Sequence, residues 1–293
     1  MLILYKSAIV FMIIFNFISV MTPTASDAEI DQKNIRMFGS LENRLISDDF
    51  DKKTIETIYN SPKVYFEYKG LSMFFAHKES SLNYNQFTDK KSIEKTKKYI
   101  QKNKTAFLKA EKEYEVDKNI IAAIILVETR LGATTGNRSV LNSLSTMAAL
   151  YDSKVRAAVW KKISKSSNLS KTRFDQKAKK KSEWAYKELK AFIKYTLREN
   201  IDPCPVMGSY AGAVGIAQFM PSNILVFGKD GNKDGRIDLF NHTDAIISIA
   251  AFLKHYGWHT GIENKKAYDV LYHYNHSKYY VNIILKISKL LRD

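Results

Sequence analysis

The sequence predicts a mainly α protein, and three observations carry that expectation. Apolar residues recur at helical spacing over long stretches, a nearly all-apolar segment runs from Ile120 to Val127, and alternating strand-like patterns are scarce. With 293 residues, 45% hydrophobic and 26% charged, the chain has apolar material for one or two ordinary domains and no fibrous or disordered bias.

At the N-terminus, Lys6 precedes an apolar run from Ala8 to Met21, and small residues follow as far as Ala28. That order is expected of a signal peptide, and the run is short for a bilayer span of about twenty residues. Residues 1–25 are therefore expected to act as a signal peptide or signal anchor, and the chain is expected to be exported. Asp27 to about Ser61 is polar and weakly patterned. Val64 to Phe75, with Tyr65, Phe66, Tyr68, Phe74 and Phe75, reads as short strands or an extended packing segment. From Thr88 onward Ile93, Ile100, Phe107 and Tyr114 recur every seven residues between lysines, which places one apolar stripe on a solvated helix. Residues 26–116 thus form an expected N-terminal helical and extended region packed on a core domain at 117–293.

That domain opens with Asp117 as a cap and a helix that is apolar nearly all round, so the helix is expected to be buried. Further helices are expected at Val140 to Tyr151, Val155 to Ile163, Trp184 to Arg198, Asp244 to Tyr256, and around Tyr272 and Ile284. The single cysteine, Cys204, excludes an internal disulfide and reads as structural.

Forty-six Lys plus Arg against thirty Asp plus Glu give a formal charge of +16, so anionic partners are favoured. Half of that excess lies in 161–190, where eleven Lys and Arg face three Asp and Glu. The stretch reads as a basic insertion, either a solvated face or a docking surface for an anionic wall or membrane. No nucleic-acid-binding motif is present, and nucleic acid is not an expected partner.

Glu128 follows Ile121, Ile124 and Ile125 by seven, four and three residues, so its carboxyl falls on the most apolar face of the buried helix. Burial disfavours the ionised form and would make Glu128 a general acid near neutral pH; the alternative is a carboxyl paired with Arg130 or another base. In Ser209 to Pro221, Gly212 and Gly215 allow tight turns, while Ser209 and Gln218 offer hydrogen bonds; a plain turn leading into a short helix is the alternative. Asp230, Asn232, Asp234, Gly235 and Arg236 reproduce the opening of a calcium loop, with oxygen donors at alternate positions and a glycine for the sharp bend. Asn241 stands where the usual closing glutamate would be. His255 and His259, four apart around Gly257, lack a third zinc ligand, and His273 and His276 read as surface histidines.

Three ordered motifs, Val127-Glu128-Thr129-Arg130-Leu131-Gly132, the stretch Gly208 to Pro221, and Tyr274-Asn275, closely resemble the membrane-bound lytic transglycosylase B family over roughly residues 60 to 290. The resemblance implies a lysozyme-like fold and cleavage of the MurNAc-GlcNAc bond of peptidoglycan with 1,6-anhydro-MurNAc ends. It implies Glu128 as catalytic acid/base, with Ser209, Gln218, Tyr274 and Asn275 along the sugar. It also implies a longer, EF-hand-like calcium loop closed by an aspartate at the fifteenth position. In this chain that loop is 230–244, with Asp230, Asn232, Asp234, the Arg236 carbonyl and Asp244 as ligands of a structural Ca²⁺. No organic cofactor is expected, and a monomer located in the periplasm or cell envelope is. Leu131 departs from the family tryptophan, a change that bears on glycan affinity more than on the chemistry. The rival readings are a hydrolytic muramidase, with Asp202 or Asp152 as second carboxylate, and a non-catalytic, calcium-stabilised wall-binding scaffold.

Overall fold

The computed structural model describes residues 26–76, 84–164 and 170–292, with side chains described from 37 onward except at Ala76 and Asn85. The expected signal segment at 1–25 lies outside the described residues. In chain order the helices are α1 (Ser26–Ser47), α2 (Lys52–Tyr59), α3 (Tyr68–Ala76), α4 (Lys90–Lys102), α5 (Lys104–Tyr114), α6 (Lys118–Thr129) and α7 (Val140–Ala149). They continue with α8 (Ser153–Ile163), α9 (Lys171–Arg198), α10 (Pro221–Phe227), α11 (His242–His255), α12 (Asn264–Tyr274) and α13 (Lys278–Arg292). The two short strands β1 (Arg138–Ser139) and β2 (Met207–Gly208) pair antiparallel. The mainly α expectation is met. No described helix is long and apolar enough to cross a membrane.

The chain divides into two compact units, each built from separated segments: 84–136 with 213–292, and 26–76 with 137–164 and 170–212, among the described residues. This division crosses the expected boundary at 116/117. In the first unit α6 is the central helix, packed by α13, α4, α5 and α11. Its capping follows from sequence: the Asp117 carboxylate accepts from the Asn119 N–H at 2.7 Å, and the helix stops at Arg130, Leu131 and Gly132, all with positive φ. In the second unit α7 holds the same role against α9, α1 and α3, with Ser139 as its cap.

The weakly patterned stretch after residue 26 is two helices, α1 and α2. Three local expectations are corrected. Val64 to Glu67 lies outside regular secondary structure, but the aromatic-rich residues from Tyr68 form α3, because Leu71 and Phe74 share one buried face at i and i+3. The helix expected from Thr88 to Tyr114 breaks at Asn103 into α4 and α5. Most of the basic stretch is regular helix: α9 begins at Lys171, thirteen residues before the expected start at Trp184, along a buried line of Phe174, Ala178, Ser182 and Ala185.

Candidate active site

Glu128 occupies the last turn of α6 and is 1% exposed. The groups against its carboxyl come from the C-terminal helices that pack on α6. Tyr280, in the first turn of α13, is fully buried; its hydroxyl is pushed well above its ordinary ionisation range, first by burial and then by the Glu128 carboxyl beside it. Tyr274 is shifted the same way for the same two causes, and the two tyrosine rings lie parallel at 6.3 Å. Both hydroxyls therefore stay neutral across the pH range of an enzyme. Arg130, the alternative partner for Glu128, directs its guanidinium to Gln86 and over the Phe87 ring.

The glycine-rich stretch folds into a tight hairpin in which Val214 and Phe219 exchange backbone hydrogen bonds at 2.9 and 3.2 Å. Gly215 has φ +71°, and a Cβ there would lie 2.5 Å from the Leu239 carbonyl oxygen, so only glycine fits. Four elements of the same unit clamp this hairpin. The Thr129 hydroxyl donates to the Ile216 carbonyl at 3.1 Å, Ile216 N–H donates to Leu239, Tyr274 Oη donates to the Ala217 carbonyl at 2.6 Å, and Gln218 Nε2 donates to Thr135 and Gly215. Gln218, held at φ +48° and 1% exposed, keeps its Oε1 buried, with no hydrogen-bond donor on it among the described residues. Such an acceptor is costly unless a ligand supplies the donor.

The first unit thus holds Glu128, Gln218, Tyr274 and Asn275, the last being the buried residue that ends α12. Tyr274, expected to line the cleft, donates its hydroxyl to the Ala217 carbonyl of the hairpin and lies near the Glu128 carboxyl. Ser209 belongs to the second unit, where it follows β2 and its hydroxyl accepts from the Ala211 N–H at 3.3 Å. Asp152 and Asp202, the candidate second carboxylates, belong to the same unit and serve local turns. Asp152 caps α8 and accepts from Ser40 at 2.7 Å, which holds its carboxyl below the usual range, and Asp202 accepts from the Cys204 N–H. Tyr280 was missed by the sequence reading, since it looks like any aromatic on the buried stripe of α13.

The loop 230–244 wraps its oxygens inward. Asp230 accepts from Asp234 and Gly235, Asn232 from Asp234, and Asp234 from Arg236, all through backbone N–H groups at 2.8 to 3.2 Å. Asp244, 0% exposed at the start of α11, accepts from Gly231, Asn232 and Asp238. Burial still raises its carboxyl above the usual range, with Asp230 adding to the rise against those three donors. The donors suit a hard cation in type, although no three acidic, histidine or cysteine side chains are gathered as a metal cage among the described residues.

The helical units and the buried glutamate define a lysozyme-like, mainly α architecture. The structure aligns with SltB3 of Pseudomonas aeruginosa in complex with NAG-anhNAM-pentapeptide at a TM-score of 0.70 and 16% identity, covering 89% of this chain and 80% of that one. It aligns with the Escherichia coli lytic transglycosylase SLT35 in complex with calcium at 0.67 and 20% identity, covering 89% and 92%. The chain belongs to the transglycosylase SLT domain family, whose model matches residues 35–267. It is 32% identical over 148 residues to membrane-bound lytic murein transglycosylase B of Escherichia coli (strain K12), a match covering 50% of this chain and 34% of the relative's length.

Proposed function

We propose that this chain is an exported lytic transglycosylase of the cell envelope that cleaves the β-1,4 bond between MurNAc and GlcNAc in peptidoglycan and leaves 1,6-anhydro-MurNAc ends. The observation that carries the reading is the buried Glu128 carboxyl, set against two neutral tyrosines and tied by Thr129 and Tyr274 to the hairpin of Gln218. SltB3 of Pseudomonas aeruginosa, which shares the fold, is solved in complex with NAG-anhNAM-pentapeptide and with NAG-NAM-pentapeptide, ligands of the proposed substrate class.

In this scheme Glu128 donates its proton to the bridging oxygen as the C1–O4 bond breaks. The sugar's N-acetyl group stabilises C1 in place of a second carboxylate. The C6 hydroxyl then bonds to C1 and returns its proton to Glu128, so no water is consumed and the carboxyl is regenerated. Gln218 Oε1 takes a donor from the sugar, and Asn275 is a further sugar contact of the same unit; Ser209, in the second unit, is likewise proposed as a sugar contact. Leu131 offers no aromatic face where the resembled family pattern has tryptophan, which weakens stacking rather than proton transfer.

The loop 230–244 is the second part of the proposal: Asp230, Asn232, Asp234, the Arg236 carbonyl and Asp244 hold a structural Ca²⁺, as hard oxygen donors of the right alternation. The ion's role is to neutralise carboxylates that the fold has already turned inward.

Clearing of purified sacculi by the wild-type protein and by Glu128→Gln tests the assignment. Clearing is expected from the first alone, with both proteins melting alike; equal clearing would remove Glu128 from the chemistry.

A further inference from the structure

We propose that the face of the second unit formed by α3, α8 and α9 is a docking surface for an anionic lipid bilayer. The helices converge there through aromatic rings: Phe74 of α3 stacks on Trp184 of α9 at 6.0 Å, Phe75 lies 5.4 Å from Phe174, and Trp160 of α8 lies 5.3 Å from the same Phe174. Lysines surround this aromatic seam. Lys162 sits 3.7 Å over the Tyr68 ring, and Lys181 lies over both Phe74 and Trp184 at 5.3 and 5.5 Å.

The lysines of this face are not neutralised from within. Lys161, Lys162, Lys177, Lys180 and Lys181 appear in no ion pair among the described residues, whereas Lys171 and Lys190 at the flanks are paired with Asp175 and Asp48. Lys181 holds its proton less firmly than a free lysine because it is partly buried and because Lys180 and Lys177 repel it. A fold that places like charges together over apolar rings is stabilised when an anionic surface covers them.

Bilayer is favoured over a soluble anionic polymer by what lies between the lysines. Trp160, Trp184 and Phe75 are half-buried, and Met73 of α3 is 47% exposed, so the patch presents apolar and amphipathic surface beside its cations. Tryptophan flanked by snorkelling lysine suits the boundary between headgroups and acyl chains, while a phosphate-rich polymer has no use for Met73.

The chain contains three tryptophans, of which Trp160 and Trp184 lie in the patch and Trp258 is buried in the other unit, so intrinsic fluorescence reports on the patch directly. The full chain is mixed with vesicles of brominated lipid, either phosphatidylglycerol with phosphatidylethanolamine or phosphatidylcholine alone. The segment 1–25 is the same in every variant, so attachment through it cancels, and the measured quantity is the contact of the patch with lipid. Emission is expected to be quenched on the anionic vesicles, unquenched on phosphatidylcholine, and released by half-molar salt. Replacing the five lysines by glutamine is expected to lower patch occupancy by more than about tenfold, leaving the emission of the unquenched protein, while arginine at all five keeps the quenching. A wild-type protein that stays unquenched on anionic vesicles overturns the proposal, as does equal quenching of the glutamine variant. Unquenched protein that nevertheless sediments with a soluble polyphosphate in a lysine-dependent way overturns it in favour of polymer binding.

Discussion

Glu128 and Asp244 are both carboxyl groups almost wholly withdrawn from water, at 1% and 0% exposure, yet their surroundings differ in kind. Asp244 is met by three backbone N–H groups, donors fixed by the loop and unable to move a proton. Glu128 sits at the end of an apolar helix with neutral tyrosines against it. A buried carboxyl ringed by backbone amides holds a shape, whereas the proposed acid/base role needs a carboxyl beside groups that stay neutral, as Tyr274 and Tyr280 do here. Glu183 gives a third case, a half-exposed carboxylate gripped by both guanidinium nitrogens of Arg44 at 3.2 and 2.8 Å.

Substituting each carboxyl should therefore damage a different property. Glu128→Gln is expected to lower the rate of glycan cleavage by about 10²–10⁴-fold, the usual worth of a general acid/base, with no loss of melting temperature. A stable but fully active variant would break the contrast with Asp244. Asp244→Asn is expected to cost about 1–3 kcal/mol in denaturant unfolding, because its amide group must face an N–H donor, while residual activity of the folded fraction survives. Added calcium should raise the wild-type melting temperature by mass action and leave that of Asp244→Asn unmoved; indifference of the wild type to calcium and chelator alike would end the calcium reading.

Tyr280→Phe sharpens the comparison through pH. Since the Tyr280 hydroxyl remains neutral beside Glu128, it favours the ionised carboxylate, and its removal makes Glu128 hold its proton to higher pH. The basic limb of the kcat/KM profile is expected to move upward, with at most about a tenfold change in maximal rate. A limb that stays fixed or moves down would show that Tyr280 only fills space.

Glu183→Gln should do least, under about 1 kcal/mol, as surface pairs do. Arg44 holds the Glu183 carboxyl below its ordinary value, through its hydrogen bond first. The small stabilisation is thus present above the unfolded carboxyl's range near 4.5 and is lost as pH falls through the lower folded value. The variant and the wild type should therefore converge in stability in strong acid; divergence there would reverse the sign of the linkage.

What was legible in the sequence follows the same physics. Helix α6 was visible because Ile120 to Val127 leaves no polar face, and Glu128 stood out as the one acidic residue on it. Tyr280 was invisible because its meaning lies in the packing of α13 on α6, which no local pattern encodes. The early start of α9 was hidden by lysines that mask the spaced Phe174, Ala178 and Ser182. The break at Asn103 was hidden because the seven-residue spacing runs straight across it. Gln218 was legible as a polar residue in a glycine-rich turn, but not the positive φ and paired carbonyl acceptors that leave its Oε1 facing away from them.

In the proposed reaction one buried carboxyl, without a second, both breaks the glycosidic bond and directs the C6 hydroxyl onto C1. Mass analysis of soluble fragments released from purified sacculi reads that directly. Fragments ending in 1,6-anhydro-MurNAc, one water lighter than their hydrolytic counterparts, are the expected result; predominantly reducing-end MurNAc would contradict the account and require a second carboxylate.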